Sequence, residues 1–507
     1  MHRHTNLYSK ALILDGASKA AAECVLALPK TCEVHVAEHA EDCLSFASRR
    51  VAQRFVQPVF TPELQAWIRE RDREQNYDLI VPATEVSLLA IKSQALDPAL
   101  RAKAVIASER SLDVALDKKQ TLAIAESIGV KIPASTLVTH VDHIPPSRGL
   151  PTVLKPIHSK VDTPHGVVAF SVQICQTEKE RDEAFRRILP LTPVLEQEYF
   201  GGHAIGIVAL FEQGELRWLF ALEQIHDIPV TGGVSTYRRS VNAPAHVIRA
   251  ATDLLRHLHW HGVGMVEFKV ADNGDYRLME INPRLWESLS LAVAAGVNFP
   301  LGLLKIARGE SLSEQPRYRN HLYARDIAKD AIWFGQSWRE RHNPLALKRL
   351  RAGDFFGLAR PLIGKEIWDL FRWREPRMWW RLTRGTLASA RSRIRTSAAR
   401  HTAAANWAEL VEKWRDGAIR NVLVLCYGNI CRSPVAALLL QRMLPDAEIT
   451  SAGFHEHEGR HVPLDWAETV ANTLNVDLSR HRSHRVSPQM IARADLIVVM
   501  EATNWMA

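Results

Sequence analysis

Long apolar runs are missing from this chain. Nowhere do the roughly 18 consecutive apolar residues needed to cross a bilayer occur, and the N-terminal MHRHTNLYSKALILDGAS has no extended apolar core of the kind a secretory signal requires. Cysteine is scarce as well: six in 507 residues, at positions 24, 32, 43, 175, 426 and 431, are too few and too scattered for a disulfide framework and fit a reducing compartment. A cytoplasmic location is the expectation, and any role for a cysteine is to be sought in its reactivity. Gly and Pro, 25 of each, are too few for a fibrous or low-complexity chain, and 47% hydrophobic with 24% charged residues is the composition of globular domains. At this length a single core is excluded, and about two to four domains are expected. Internal repeats are absent.

Charge is unevenly spread. Ser337 to Arg400 holds 16 Lys and Arg against five Asp and Glu, a net +11, so the rest of the chain sums to −3 within a total of +8. The same stretch holds Trp338, Trp368, Trp373, Trp379 and Trp380, then thins into LASARSRIRTSAARHTAAANWAEL. This reads as a basic, Trp-rich helical connector over residues 316–418. Its plain role is a solvated link between domains. A second role is peripheral contact with anionic membrane through residues 337–400, while no nucleic-acid motif accompanies the charge.

Upstream, ALILDG (11–16), CEVHVAE (32–38) and YDLIVPAT (77–84) read as buried parallel strands separated by helix-length segments, which makes residues 1–110 a doubly wound α/β domain. Gly16 reads as a tight turn after the first strand. Chemistry begins in residues 111–315. Glu267 in GMVEFKV and Glu280 in YRLMEIN each interrupt an apolar β-like run, where an unpaired carboxylate is costly. Asn282, two positions beyond Glu280, shares its strand face, and the three oxygens make a hard cage suited to Mg²⁺. The lysines of ALDKKQ and TVLKP then have phosphates to meet.

Read in order, ALDKKQ, TVLKP, PVLEQEYFGG, TGGVSTYRRSV and GMVEFKVADNGDYRLMEINPR resemble the ATP-grasp family over about residues 8–310, which implies an α+β ATP-grasp domain behind the N-terminal one. The resemblance implies that Lys118 and Lys155 bind ATP phosphates and that Gln197, Glu198, Tyr199 and Phe200 form the adenine-binding hinge, while Ala204 stands where the family often carries a ribose-binding Glu, with His203 beside it. It makes Glu267, Glu280 and Asn282 the ligands of Mg²⁺, with Mn²⁺ as an alternative, and Arg284 the group on the transferring phosphoryl. Arg238 and Arg239 become the anion clamp for a carboxylate substrate. The implied reaction activates a small-molecule carboxylate as an acyl phosphate for attack by an amine or similar nucleophile.

Near the end stands LCYGNICRSP, residues 425–434. NVLVLC reads as a buried strand and Pro434 with VAALLLQRML as the start of a helix, so Cys426 to Ser433 is a loop between a strand end and a helix N-terminus. That location concentrates N–H donors and positive dipole on an enclosed anion, and Arg432 adds a planar fork of donors. Such a cradle suits phosphate-ester cleavage by a cysteine nucleophile. The stretch resembles the low-molecular-weight protein tyrosine phosphatase family, with TSAGF (450–454) and ADLIVVMEATN (494–504) matching further segments in order. The resemblance makes Cys426 the nucleophile, Arg432 the phosphate clamp, and Ser433 and Asn429 the groups that hold the loop, with a phosphotyrosine protein as substrate. No Asp-Pro follows Cys426, so residues 419–507 are expected to be an incomplete, partial parallel-sheet α/β domain without the usual acid. The alternative is a nucleotide-binding regulatory protein whose phosphatase-like part senses phosphate or docks a partner.

Overall fold

The structure is a computed structural model describing residues 8–59, 61–92, 97–147, 149–157, 160–163, 166–170, 172–348, 350–405, 407–455 and 457–500. The chain divides into two compact units, Met1–Arg384 and Gly385–Ala507.

The first unit opens with a parallel four-stranded sheet in the order Val51–Val56, Cys32–Glu38, Ser9–Ile13, Leu79–Val81. Ala11, Ile13, Val34 and Val36 pack towards helix Lys19–Ala27, while Leu12, Leu14 and Ile80 meet Leu64, Ile68, Ala90 and Ile91. Burial on both faces explains the near-continuous apolar runs. The strand Val51–Val56 was invisible in sequence because it is an exposed edge carrying Gln53 and Arg54. Gly16 holds its turn by close packing, since a Cβ there would stand 2.6 Å from Val36 Cγ1 and 2.9 Å from Cys43 Sγ.

Two mainly antiparallel sheets follow, besides the two-stranded hairpin of Lys160–Thr163 and Gly166–Ala169. The smaller runs Ser135–Val138, Val194–Glu198, Thr152–Pro156, Gln173–Cys175 and is backed by helix Glu178–Ile188. The larger has seven strands in the order Tyr276–Asn282, Gly262–Val270, His203–Glu212, Glu215–Ile228, Val234–Ser240, Tyr323–Arg325, Glu366–Trp368, the last pair parallel. One of its faces packs with helices Leu289–Ala295 and Phe299–Ala307 and with the N-terminal sheet. The other covers helix Ala245–His257. No single helix among the described residues is long and apolar enough to cross a membrane.

The reading of 316–418 as a connector needs correction. Its Tyr323–Arg325 and Glu366–Trp368 extend the large sheet, Glu366 and Asp369 are buried, and Met378 is fully enclosed. Residues up to Arg384 belong to the first unit. Three-residue strands such as YAR and EIW show no apolar period, and their charges are neutralised by partners far away in sequence, such as Arg325 Nε on Glu366 at 2.7 Å. The basic, aromatic surface persists in part: Trp373 is 88% and Trp380 56% exposed.

In the second unit, after helix Trp407–Arg415, a parallel sheet runs Glu448–Gly453, Asn421–Cys426, Leu496–Val499. Helices Arg432–Met443, Leu464–Leu474 and Pro488–Arg493 flank it in sequence. The segment ADLIVVMEATN is described only to Met500, and its remaining residues lie outside the described ones.

Candidate active sites

In the first unit, antiparallel pairing sets Glu267 opposite Glu280 and Met265 opposite Asn282, with a register irregularity just after Glu267. The Asn282 amide nitrogen donates to Glu267 Oε1 at 3.0 Å and to Glu280 Oε1 at 3.3 Å. One donor thus bridges two carboxylates, and rotating the amide would present an oxygen to a cation in its place. Burial, then Glu280, then Asp227 push the Glu267 carboxyl up to about 8, against the opposing pull of Arg284 and Lys269. This donor set fits a divalent oxygen-seeking cation.

Lys155 is buried on the strand Thr152–Pro156, where desolvation holds its amine below the usual lysine range despite Glu280, and its Nζ reaches Met279 Sδ at 3.9 Å. Lys118, half-buried at the start of helix Lys118–Ser127, is near enough to depress Lys155 further. Arg284 lies beside the carboxylates and stands 3.6 Å from Glu85 of the N-terminal domain. Lys118, Lys155, Glu267, Glu280, Asn282 and Arg284 are therefore gathered at one centre, and their lysines and carboxylates suit a nucleotide phosphate chain with its cation.

Around 197–203 the side chains are occupied. Gln197 is buried and donates to Ser135 Oγ at 2.8 Å, and Glu198 is exposed and paired with Arg277 at 3.3 Å. Tyr199 and Phe200 are half-buried, with the Arg277 guanidinium 4.6 Å from the Phe200 ring centre, and exposed His203 meets Asp272 at 3.2 Å. Contact with a base here would fall to the backbone of this segment.

Arg238 and Arg239 do not form a joint clamp, which corrects the sequence expectation. As successive residues of a strand they project from opposite faces. Arg238 is 1% exposed and locked onto Asp369, which also pairs with Lys19 at 3.1 Å. Arg239 is held by Glu223 at 2.7 Å. Arg238→Met would take from buried Asp369 its guanidinium partner, leaving Lys19 and Ser290 to hold the charge, and is expected to cost about 1.5–3 kcal/mol of stability. A shift of the urea midpoint at unchanged slope checks this.

Sequence reasoning also missed Asp227 and Lys269. Asp227 ends a strand whose pairing is irregular at Gln224 and His226, is 6% exposed, and its Oδ1 has no hydrogen-bond partner among the described residues. Burial pushes its carboxyl up to about 6, with Lys269 pulling the other way. An acid between His226 and Ile228 in ALEQIHDIPV was the available signal.

The second unit holds the cysteine loop. Cys426 ends its strand nearly enclosed, and its Sγ accepts the Asn429 N–H at 3.1 Å and lies 3.0 Å from Ser433 Oγ. Asn429 sits at φ +50, a left-handed conformation that asparagine tolerates better than most residues. Its side chain donates to Ser433 and Ser451 Oγ at 3.0 and 2.9 Å and accepts the His484 N–H at 2.8 Å. Arg432 is exposed at the first position of helix Arg432–Met443. Three supports escaped the sequence reading. Arg460 donates to Gly428 O at 2.6 Å. His481, kept below the usual imidazole value by burial, donates Nε2–H to Asn429 O at 2.7 Å. Gly453 leaves the loop room, since a Cβ there would come within 2.8 Å of Asn429 N.

Residues 194–329 match the family model described as ATP-grasp in the biosynthetic pathway with Ter operon, and residues 421–506 match that of low molecular weight phosphotyrosine protein phosphatase. The chain is similar to the probable low molecular weight protein-tyrosine-phosphatase EpsP of Ralstonia nicotianae (strain ATCC BAA-1114 / GMI1000), 40% identical over 86 residues, 17% of this chain and 59% of that protein. It is similar also to the probable low molecular weight protein-tyrosine-phosphatase AmsI of Erwinia amylovora, 41% identical over 83 residues, 16% of this chain and 57% of that protein. The chain thus spans less than two thirds of the length of these relatives. Among solved structures, N5-carboxyaminoimidazole synthetase from Staphylococcus aureus is alike in fold, with a TM-score of 0.51 at 15% identity over 70% of this chain and 97% of that one.

Proposed function

We propose that this chain, which carries an ATP-grasp domain and a domain of the low-molecular-weight phosphatase family, is an ATP-dependent carboxylate–amine ligase joined to a cysteine phosphatase. The observation that carries the ligase reading is the Glu267–Asn282–Glu280 bridge beside buried Lys155. Lys118 and Lys155 hold the phosphate chain of ATP and Arg284 approaches the transferring phosphoryl. A bound Mg²⁺, or Mn²⁺ in its place, would neutralise phosphate charge at Glu267, Glu280 and Asn282. A substrate carboxylate oxygen attacks the γ-phosphorus, the bond to the bridging oxygen breaks, and ADP leaves with that electron pair. The acyl phosphate then loses inorganic phosphate to an attacking amine, giving an amide. Positioning and charge neutralisation supply most of the rate, which accounts for a site without a strong base. An ADP-release screen of carboxylate and amine pairs with Mg²⁺ tests this reading. ADP formation that ignores both co-substrates would refute it.

In the second unit Cys426 attacks the phosphorus of a phosphotyrosine, the phenolate departs, and water later releases phosphate from the sulfur. Asn429, Ser433 and the loop amides steady the sulfur, while Arg432 grips the phosphoryl oxygens.

A cytoplasmic location with peripheral attachment to anionic membrane is part of the same proposal. It is supported by Trp373 and Trp380, exposed close in sequence to exposed Arg374, Arg377 and Arg384. Trp rings favour the headgroup layer, and each Arg adds roughly 1 kcal/mol near an anionic surface. The full chain is expected to sediment with phosphatidylserine vesicles, less so as salt rises, and not with phosphatidylcholine vesicles. Equal recovery with both lipids would exclude it.

A further inference from the structure

The N-terminal sheet reverses its winding between strands Ser9–Ile13 and Leu79–Val81, and in open parallel sheets the residues just past the carboxyl ends of such a pair face the functional crevice. Asp15 and Thr84 stand there. Asp15, 8% exposed and left-handed at φ +57, accepts the Thr84 N–H at 2.9 Å, the Thr84 hydroxyl at 2.7 Å and the Ser87 hydroxyl on one carboxylate oxygen, and the Gln57 amide at 3.1 Å on the other. Four donors on one buried acid fix the first turn of helix Glu85–Lys92. Its first residue, Glu85, places Oε1 3.6 Å from Arg284 Nε.

Arg284 lies two residues past Asn282, whose amide bridges Glu267 and Glu280. Its Nη1 donates to Leu285 O at 3.1 Å, while Nε is enclosed and has no hydrogen-bond partner among the described residues. A desolvated N–H without an acceptor is costly, and closing the gap to Glu85 to about 2.8 Å would give it a charge-assisted one. An acid at a helix start also answers the helix dipole, but that effect asks for no arginine opposite. Both side chains of the pair are partly exposed, so the contact adds little to stability, and its value lies in where it aims the guanidinium.

We propose that Glu85 is a positioning residue of the ligase centre: from the N-terminal domain it holds the Arg284 guanidinium in the orientation that meets the γ-phosphoryl group of ATP, and Asp15 in turn holds Glu85. The inference rests on the reading of Arg284 as the group at the transferring phosphoryl, and it gives the N-terminal domain a part in recognising that phosphate. With Nε held by Glu85 and Nη1 by Leu285 O, Nη2 is presented to a phosphoryl oxygen. An arginine ordered beforehand spends less binding energy on being immobilised.

The test uses the full chain, Mg²⁺ and two nucleotides, the non-hydrolysable β,γ-imido-ATP and ADP, in titration calorimetry. The ratio of the two affinities reads contact with the γ-phosphoryl group. Arg284→Met is expected to lower the preference for the ATP analogue at least ~10-fold. Glu85→Gln is expected to lower it roughly 3–10-fold, with ADP affinity unchanged. In the Arg284→Met background Glu85→Gln is expected to change nothing further, because it acts through that side chain. An unchanged preference in Glu85→Gln, or a further loss on top of Arg284→Met, overturns the role of Glu85 alone. So does an equal weakening of both nucleotides, the result for a merely structural residue. If Arg284→Met keeps the parent's preference, the reading of Arg284 fails and the inference falls with it. A parent chain that binds neither nucleotide removes the ligase reading itself.

Discussion

Cys426→Ser is expected to hydrolyse p-nitrophenyl phosphate at least ~10⁴-fold more slowly than the parent chain, the scale on which loss of a covalent nucleophile is felt. The substitution leaves the loop intact, because a serine hydroxyl can still accept the Asn429 N–H and face Ser433 Oγ, the contacts the sulfur makes at 3.1 and 3.0 Å. It removes only the soft nucleophile. p-Nitrophenolate departs readily as an anion, so this substrate reports attack at phosphorus rather than protonation of the leaving group. Equal turnover by parent and variant, or none by either, would remove the phosphatase assignment. Asn429→Ala is the companion. Asn429 makes five contacts in the loop, through its N–H, carbonyl and amide, of which the three made by the side-chain amide would be lost. Its loss should lower turnover and local stability together, whereas Cys426→Ser should leave the melting temperature within a few degrees.

Glu280→Gln and Lys155→Ala are each expected to cut ATP-dependent ADP release by roughly 10²–10³-fold, the effect of deleting one preorganised charge from a site of phosphoryl transfer. Neither should unfold the protein. Lys155 is buried with desolvation as the dominant influence on its amine, so removing that charge relieves a cost in the nucleotide-free state. Full ADP release by both variants would refute the assignment. The centre also predicts a pH signature. Glu267 is raised from its usual 4.5 to about 8, so the metal-free folded state binds a proton there that the unfolded chain gives up from about 4.5. Its contribution to metal-free stability therefore falls as pH rises from about 4.5 to about 8. Cation binding must displace that proton, so Mg²⁺ affinity should rise with pH until about 8 and then level off. Calorimetry of Mg²⁺ binding at pH 6 and pH 8 checks it. Tighter binding at pH 6 would contradict the arrangement.

The cysteine loop was legible in LCYGNICRSP because its main contacts lie within eight residues. Cys426, Asn429, Arg432 and Ser433 are brought together by one strand end, one turn and one helix start. The acid pair was legible for a related reason, since an antiparallel pairing sets Glu267 opposite Glu280 across a short connection, and each carboxylate stands out against its apolar run. What those segments could not carry is the partner of any charge met across the fold. Arg238 reads in TYRRSV as half of an exposed clamp, yet Asp369, 131 residues away, fills its guanidinium, and Lys19, 350 residues from that same aspartate, completes the buried network. The short strands Tyr323–Arg325 and Glu366–Trp368 were concealed likewise, because ion pairs rather than apolar periodicity bury them. Glu85, and in the second unit Arg460 and His481, acquire their roles only when separate strands and loops converge. Local pattern thus determined which groups this protein holds ready for chemistry. The tertiary structure decided which charges are already neutralised and which are left for a ligand, because the desolvation that distinguishes them depends on neighbours distant in the chain.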